Sequence, residues 1–338
     1  MRHANIPIFV PHLGCPHTCA FCNQRTITGK QNFSFEQVRS DIDTALATLD
    51  NTTKKEIAFF GGSFTAIDKE LMLSLLSLAE EYVKKGKVSS IRLSTRPDAI
   101  DDSILTLLRR FSVKTVELGI QSTDNRVLLE SMRGHTKEQS KTASLLIKQY
   151  GFSLVGQMML GLPASTLETE LTTARDMLSF GIDAARIYPT VIFPDTTLWE
   201  MAKKGAYTPL SVDEAVSRGG EVLCCFDQAK IPVIRIGLCE SEGLRETNDL
   251  LGAYHPAIGE LIQSNFYLRK IQTELARYDL PERADVTVEV APHALSQAIG
   301  QKRRNLLALK TLYPEITIRF RTNEALCKTE VKLYVKEN

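Results

Sequence analysis

The stretch IPIFVPHLGCPHTCAFCNQ, residues 6 to 24, holds a short apolar run followed by three cysteines, Cys15, Cys19 and Cys22. The apolar run predicts a buried strand, and the proline and glycine after it predict that the cysteines lie on the loop that leaves this strand. Three of the seven cysteines of the chain are therefore expected in one loop, at the spacing C-x3-C-x2-C.

The composition indicates an ordinary soluble protein whose thiols stay reduced. The chain has 338 residues, of which 43% are hydrophobic and 24% charged, and its net charge of +1 identifies no class of partner. The N-terminal residues do not resemble a secretory signal, and no apolar run approaches membrane-spanning length. We therefore expect a cytoplasmic protein with no membrane partner. Because cytosolic cysteines are kept reduced, metal binding or redox chemistry explains the cysteine loop better than a disulfide framework does.

Two kinds of metal site fit the cysteine spacing. A structural zinc ion usually takes four protein ligands, so zinc requires His12 or His17 beside the three thiolates. Alternatively, the thiolates hold three irons of a [4Fe–4S] cube, whose usual complement is four cysteines, and leave the fourth iron open. An open coordination position is typical of a catalytic centre.

Apolar runs alternate with helical periodicity along the first two thirds of the chain. The runs read as apolar throughout, which is typical of parallel strands covered on both faces. This pattern predicts an α/β protein with a partial or complete (β/α) barrel, and a doubly wound sheet is the alternative. After the first strand, the predicted strands are residues 56–62, 90–97, 115–122, 152–163, 184–193 and 231–238.

The glycine and polar clusters at the ends of these strands resemble those of the radical S-adenosylmethionine (SAM) enzymes. The motifs FFGGSF, LSTRPD, VELGIQS and LVGQMMLGLP follow the cysteine loop in the order seen in the elongator catalytic subunit and in oxygen-independent coproporphyrinogen oxidase. The resemblance implies a barrel of radical SAM type and a [4Fe–4S] cluster held by Cys15, Cys19 and Cys22, with SAM at the open iron. It further implies that one electron from the cluster cleaves SAM to methionine and a 5′-deoxyadenosyl radical, which abstracts hydrogen from a substrate.

The resemblance also implies roles for residues around SAM. The backbone of the GGS turn is expected to meet the methionyl amino group, and polar side chains of later strand ends to reach the ribose and the carboxylate. Arg96 has a second interpretation as a buried ion pair with Glu117, and Gln121 a second interpretation as a core amide. The expected SAM-binding residues are Gly61, Gly62, Ser63, Ser94, Arg96, Gln121 and Arg133.

Two residues of later strands are candidates for a catalytic role. Tyr188 either faces the substrate or packs in the core. Cys239 ends the strand PVIRIGLC and is either a hydrogen-atom donor or covalent carrier, or an inert buried thiol.

The pattern changes after the last barrel strand. We predict that residues 1–240 form the barrel, residues 241–254 a linker and residues 255–338 a small α/β domain. Within it, HALSQAIGQKRRNLLALK (His293–Lys310) resembles the helix–GxxG–helix core of a KH domain, which grips a single-stranded nucleic-acid backbone. Nine Lys or Arg residues and only four Asp or Glu residues follow Gly300, and this positive excess favours nucleic-acid binding. The alternative interpretation is an ordinary basic helix end in solvent. The expected RNA-binding residues are Gly300, Lys302, Arg303 and Arg304, with Arg303 in the place of the second glycine.

Three functions are compatible with these features. The first is a radical SAM enzyme that modifies a tRNA or rRNA nucleotide, flipped or unpaired, with electrons from a donor such as flavodoxin or ferredoxin. The second uses the same cofactors on a small molecule such as a tetrapyrrole intermediate. The third is a non-catalytic, zinc-stabilised nucleic-acid-binding protein. The chain is too short for the acetyltransferase domain of the elongator catalytic subunit, so we do not infer acetyl transfer.

Overall fold

The computed structural model describes residues 3–10, 13–15, 19–23, 26, 33–50, 52–238, 249–281 and 283–337. Within these residues, seven parallel strands form one sheet in the order β1-β2-β3-β4-β5-β6-β8, with β1 and β8 at its two edges. The sheet curls into a half-barrel, as the sequence predicted. Its strands are β1 (His3–Phe9), β2 (Lys54–Phe60), β3 (Ser90–Thr95), β4 (Val113–Gln121), β5 (Ser153–Leu160), β6 (Ala184–Pro189) and β8 (Val233–Ile236).

Helices cover the outer face of this sheet. Several begin at a side chain that caps the first turn, and Thr136, Thr166 and Ser211 each form a reciprocal capping box with the third helical residue. The helices of the half-barrel are α1 (Phe35–Thr48), α2 (Lys69–Lys84), α3 (Asp102–Leu108), α4 (Asn125–Glu130), α5 (Lys137–Gln149), α6 (Leu167–Ser179), α7 (Thr197–Lys203) and α8 (Val212–Gln228).

The strands alternate between an apolar outer face and a polar inner face. Ile57 and Phe59 of β2, for example, are buried against the helices, whereas Glu56, the residue before Ile57, points inward. The prediction that the strand runs are apolar throughout is therefore wrong for the inner face. Charged residues on the inner face imply a half-barrel that encloses a polar cavity rather than a packed core.

A second core lies under a three-stranded sheet in the C-terminal part of the chain. Its central strand β10 pairs with β11 in parallel and with β12 antiparallel, and the helices cover one face. The long helix α9 also packs on α8, where Gly219 lies beneath Ile262. The elements are α9 (Ile258–Leu275), β10 (Ala284–Val290), α10 (Leu295–Ile299), α11 (Arg304–Leu312), β11 (Ile316–Thr322) and β12 (Val331–Glu337).

The predicted sixth strand, residues 184–193, is divided in the structure. Its first part is β6, and two residues near its end form β7 (Val191–Ile192), which leaves the main sheet and pairs antiparallel with β9 (Leu251–Gly252). Part of the predicted linker is therefore attached to the half-barrel, while the domain boundary at residue 255 stays a prediction. No helix in the described part of the chain is long and apolar enough to cross a bilayer.

Candidate functional site

The concave face of the half-barrel encloses a cavity of about 1380 Å³ that is lined by residues from all seven strands. One end is bordered by the cysteine loop and by the turn Gly61–Ser63, which lie where β1 and β2 end. The opposite end is bordered by residues at the start of the strands, among them His3, Lys54 and Lys114. Because a strand rises about 3.3 Å per residue, the two ends are roughly 20 Å apart.

The three predicted cluster ligands line the same end of this cavity. Cys19 is buried, whereas Cys15 and Cys22 are half-buried. Backbone bonds hold the loop between them: the Ala20 amide donates to the carbonyl of Ser131, and the Ala20 carbonyl accepts from the amide of Leu198. The described part of the loop is thus fixed to two other elements of the half-barrel, with its thiols directed into the cavity.

The zinc interpretation gains no support from the described residues. Among them, no group of three Cys, His, Asp or Glu side chains is arranged to hold one metal ion. His12 and His17, the expected fourth ligands, lie outside the described residues. Three thiolates that bind different irons of a cube do not have to converge on one ion, so the cluster interpretation does not require such a group.

The glycine turn after β2 packs directly on the cysteine loop. A Cβ on Gly62 would lie 2.5 Å from the carbonyl oxygen of Leu13 and 2.6 Å from that of Val10. On the other side of this contact, Gly14 has φ +71°, and a Cβ there would collide with the carbonyl oxygen of Ser63. Sequence reasoning missed Gly14, although its position directly before the first cysteine is a usable signal. The two glycines let the two backbones meet without an intervening side chain.

Gln121 and Arg133 present unsatisfied polar atoms at this end of the site. Gln121 has φ +66° after a register shift at the end of β4, and its Oε1 is buried without a described hydrogen-bond partner. Arg133 donates from Nη1 to Cys19 Sγ at 3.2 Å and from Nη2 to the Gly119 carbonyl at 2.7 Å, while its Nε has no described partner. Buried polar atoms of this kind call for a polar ligand, so the residues present fit SAM.

Arg96 lies behind this wall rather than in it. The side chain donates from Nε and Nη2 to the two carboxylate oxygens of Asp98, at 2.6 and 2.9 Å, and from Nη2 to the carbonyl of Arg133 at 2.8 Å. The expected ion pair with Glu117 is therefore wrong. A contact between Arg96 and SAM stays a prediction; the geometry gives Arg96 the role of holding the turn that carries Arg133. Ser94, by contrast, lines the cavity and donates to the carbonyl of Phe59 at 3.4 Å.

A network of charged side chains crosses the middle of the cavity. Glu117 is fully buried and accepts hydrogen bonds from Arg92 at 2.9 Å, from Arg186 at 2.8 Å and from Gln157 at 2.9 Å. Arg186 lies over the ring of Phe60, with 5.5 Å between the guanidinium carbon and the ring centroid. Both carboxylate oxygens of Glu117 are thus satisfied by side chains of β3, β5 and β6.

Glu56 forms the second half of this network. It accepts from Arg92 at 2.9 and 3.2 Å and from Ser90 at 2.6 Å, and it lies 2.8 Å from His3 Nε2. Burial raises the pKa of Glu56, but the hydrogen bonds from Ser90, His3 and Arg92 outweigh burial and bring the pKa to about 2. Sequence reasoning missed this network, because Arg92, Glu117 and Arg186 each occur singly between two uncharged residues of their strands.

The two catalytic candidates have different outcomes. Tyr188 lines the cavity, where its hydroxyl lies 3.5 Å from Arg186 Nη1. Of its two interpretations, the geometry favours a side chain that faces the substrate space. Cys239 lies outside the described residues.

The predicted RNA-binding turn lies away from this cavity, since none of the described residues after Leu238 lines it. Lys302 and Arg303 are exposed, and both have left-handed backbone conformations, with φ +52° and +63°. Arg304 is exposed as well and forms an ion pair with Asp213 at 2.8 Å. Gly300 packs tightly on α9, because a Cβ there would lie 2.9 Å from Ser264 Oγ.

Comparison with known proteins agrees with this architecture. The sequence model of the Radical SAM superfamily matches residues 9–177, and that of the Radical SAM C-terminal domain matches residues 182–267. A tRNA uridine(34) acetyltransferase of Methanocaldococcus jannaschii is 27% identical over 60% of this chain and 45% of its own length. The Elongator complex protein 3 of Dictyostelium discoideum is 27% identical over 60% of this chain and 39% of its own. The chain therefore spans less than half the length of these two relatives.

A solved structure shows the same fold. The archaeal Elp3 of Methanocaldococcus infernus, with an N-terminal deletion, superposes with a TM-score of 0.61 over 80% of this chain and 63% of its own, at 22% identity.

Proposed function

The chain belongs to the radical SAM superfamily, and we propose that it modifies a nucleotide of tRNA or rRNA. It is an enzyme whose cofactors are a [4Fe–4S] cluster and SAM, which together supply hydrogen-atom abstraction through one-electron reduction of SAM. Cys15, Cys19 and Cys22 would hold the cluster, and the unsatisfied atoms of Gln121 and Arg133 would contact SAM. The remaining residues bind and orient the substrate and protect a reactive species from water.

The charge of the cavity carries the proposal about the substrate. Among the described residues that line the cavity, six are Lys or Arg and two are Glu, an excess of four positive charges. A cleft lined by one sign of charge concentrates ligands of the opposite sign, so the substrate is an anion. Among anions, we choose RNA because one relative that matches the barrel is named a tRNA uridine(34) acetyltransferase.

The exposed turn of the C-terminal unit adds to this proposal. Lys302 and Arg303 stand free of described ion pairs on a helix–turn–helix flanked by two strands, β10 and β11. We propose that this turn holds the RNA backbone outside the cavity while the target nucleotide enters it. We further propose that the enzyme works in the cytoplasm with flavodoxin or ferredoxin as electron donor.

Modified nucleosides in cells test the proposal. Total tRNA and rRNA are digested and compared by mass spectrometry in the parent strain, a strain without the gene, and that strain complemented with the wild type or with Cys22→Ala. We expect one nucleoside to disappear on deletion and to return only with the wild-type gene. Identical nucleosides in all four strains would contradict an RNA substrate and leave an anionic small molecule, such as a tetrapyrrole intermediate, as the substrate class.

A further inference from the structure

We propose that the target nucleotide enters through the end of the half-barrel opposite the cysteines, and that Lys54 and Lys114 bind its phosphates there. We call this end the N-terminal mouth, because it is formed where the strands begin. The inference rests on the proposed RNA substrate and adds to it a direction of entry and a phosphate-binding site.

The N-terminal mouth is open to solvent. The His3 side chain is 40% exposed and Ile234 is 46% exposed, although both line the cavity. Ser89 and Gly151, which precede β3 and β5, are also exposed residues of the cavity wall. A ligand thus reaches the interior without a change in the described strands.

Positive charge that carboxylates do not neutralise is present at this mouth. The two carboxylates of the described wall, Glu56 and Glu117, are already bound by Arg92 and Arg186 in the middle of the cavity. At the mouth, Lys114 has no described ion pair, and Lys54 reaches Glu56 only at 4.0 Å. Positive charge is therefore available at the mouth for a ligand.

The two lysines of the mouth lie on strands that are separated by one other strand. Lys54 begins β2 and Lys114 lies at the start of β4, with β3 between them. Since neighbouring strands are about 4.8 Å apart, β2 and β4 are about 10 Å apart, a separation that suits two phosphates of a chain better than one small anion. Arg235 does not belong to the mouth, because it pairs in register with Arg186 of the mid-cavity network and donates from Nε to the Gly237 carbonyl beyond the end of β8, at 3.2 Å.

The depth of the cavity and one buried amide complete the argument. About 20 Å separates the mouth from the cysteines, so a nucleotide can extend inward beneath bound SAM. Asn5, the next residue of β1 after His3 that faces the cavity, lines this path, and its Oδ1 is buried without a described hydrogen-bond partner. A carbonyl oxygen in this position accepts an N–H from a nucleobase, such as the imide of uracil. Phosphates at the mouth would thus place the base toward the cofactor end.

The test compares two double variants of the reconstituted holoenzyme that remove equal charge. The mouth variant is Lys54→Gln/Lys114→Gln. The control is Lys84→Gln/Lys85→Gln, on the outer side of the same region and outside the cavity wall. Binding of a fluorescent oligouridylate is measured over a range of salt concentrations, with SAM affinity measured in parallel to confirm an intact cofactor end.

We expect the mouth variant to bind the oligonucleotide at least tenfold more weakly, with a salt slope smaller by about 1.4, since each of the two phosphate contacts to a single strand contributes about 0.7. The control variant and the SAM affinity should be unchanged. Equal slopes for the wild type and the mouth variant, or equal losses in both variants, would overturn the inference. If binding depends on the mouth but cells show no RNA product, the proposed function fails and the phosphate site stands.

Discussion

Arg133 donates a hydrogen bond from Nη1 to the sulfur of Cys19 at 3.2 Å, and from Nη2 to the carbonyl of Gly119 at 2.7 Å. One side chain therefore joins a proposed cluster ligand to the end of β4. Arg96 in turn positions Arg133, because it donates a hydrogen bond to the backbone carbonyl of Arg133. A cationic donor on a cluster ligand stabilises the more negative, reduced cluster.

Replacement of Arg133 should therefore change the reduction potential of the cluster. We expect Arg133→Met to lower the midpoint potential by about 60 mV, which corresponds to a differential interaction of about 1.4 kcal/mol for one electron. Arg133→Lys keeps the charge and should lower it by less. Potentiometric titration followed by EPR measures both, with the exposed Arg126→Met as control. A potential within 10 mV of wild type in Arg133→Met would mean that the contact does not tune the cluster.

Gly62 should be required for iron binding rather than for folding. A Cβ there meets two carbonyl oxygens of the segment that leads to the cysteines, at 2.5 and 2.6 Å, so Gly62→Ala must displace one backbone from the other. We expect the iron content after anaerobic reconstitution to fall at least threefold, with little change in the circular dichroism spectrum. The control is Gly86→Asn, at a glycine with no atom near its Cβ position. Full iron content in Gly62→Ala would contradict the proposed packing role.

His135 predicts a loss of stability in mild acid. Burial and, after it, the charge of Arg133 lower its pKa from 6.5 to about 3. The unfolded chain binds a proton at this histidine below about pH 6.5, whereas the folded chain binds it only near pH 3. The free energy of unfolding is therefore undiminished above pH 6.5. It declines as the pH falls toward 3, at about 1.4 kcal/mol per pH unit.

Urea unfolding of the metal-free protein between pH 7 and 5 measures this decline. Above pH 5 the contribution of Glu56 is still complete, because its stabilising effect is lost only as the pH falls from 4.5 to about 2. We expect His135→Gln to be less stable at pH 7 but to show a flatter dependence on pH. An equal slope in wild type and variant would mean that His135 accepts a proton in the folded state.

The basic turn of the C-terminal unit should contribute unequally to RNA binding. Lys302 and Arg303 are exposed, whereas Arg304 is engaged with Asp213. We expect Lys302→Ala/Arg303→Ala to weaken binding of total tRNA severalfold and to reduce the salt slope. Arg304→Ala should have the smaller effect, because the exposed Arg304 side chain is already paired with a carboxylate. Filter binding at three salt concentrations makes the comparison. Equal affinity of the double variant and the wild type would remove the turn from the RNA interface.

The sequence predicted the half-barrel because its parallel strands and the motifs at their ends follow one another in chain order. It did not predict the charged network of the cavity, because Glu56, Arg92 and Glu117 are isolated within runs that otherwise look apolar. Only the alternation of the strand shows that these residues share one face.

The sequence also did not predict the ion-pair partner of Arg96. Both Asp98, two residues away, and Glu117, on the next strand, are carboxylates close enough to be chosen. The turn begun by Pro97 brings Asp98 back onto the guanidinium, while Arg92 and Arg186 already occupy Glu117. The choice depends on backbone geometry that no spacing rule contains.

The most direct test of the account is modification of RNA by the purified enzyme. The anaerobically reconstituted protein is incubated with SAM, a reductant and total tRNA and rRNA from the strain without the gene. We predict 5′-deoxyadenosine release that increases with RNA, together with the nucleoside that the strain lacks, and neither product with Cys22→Ala. Release of 5′-deoxyadenosine that is unaffected by RNA, with no change in any nucleoside, would contradict the account.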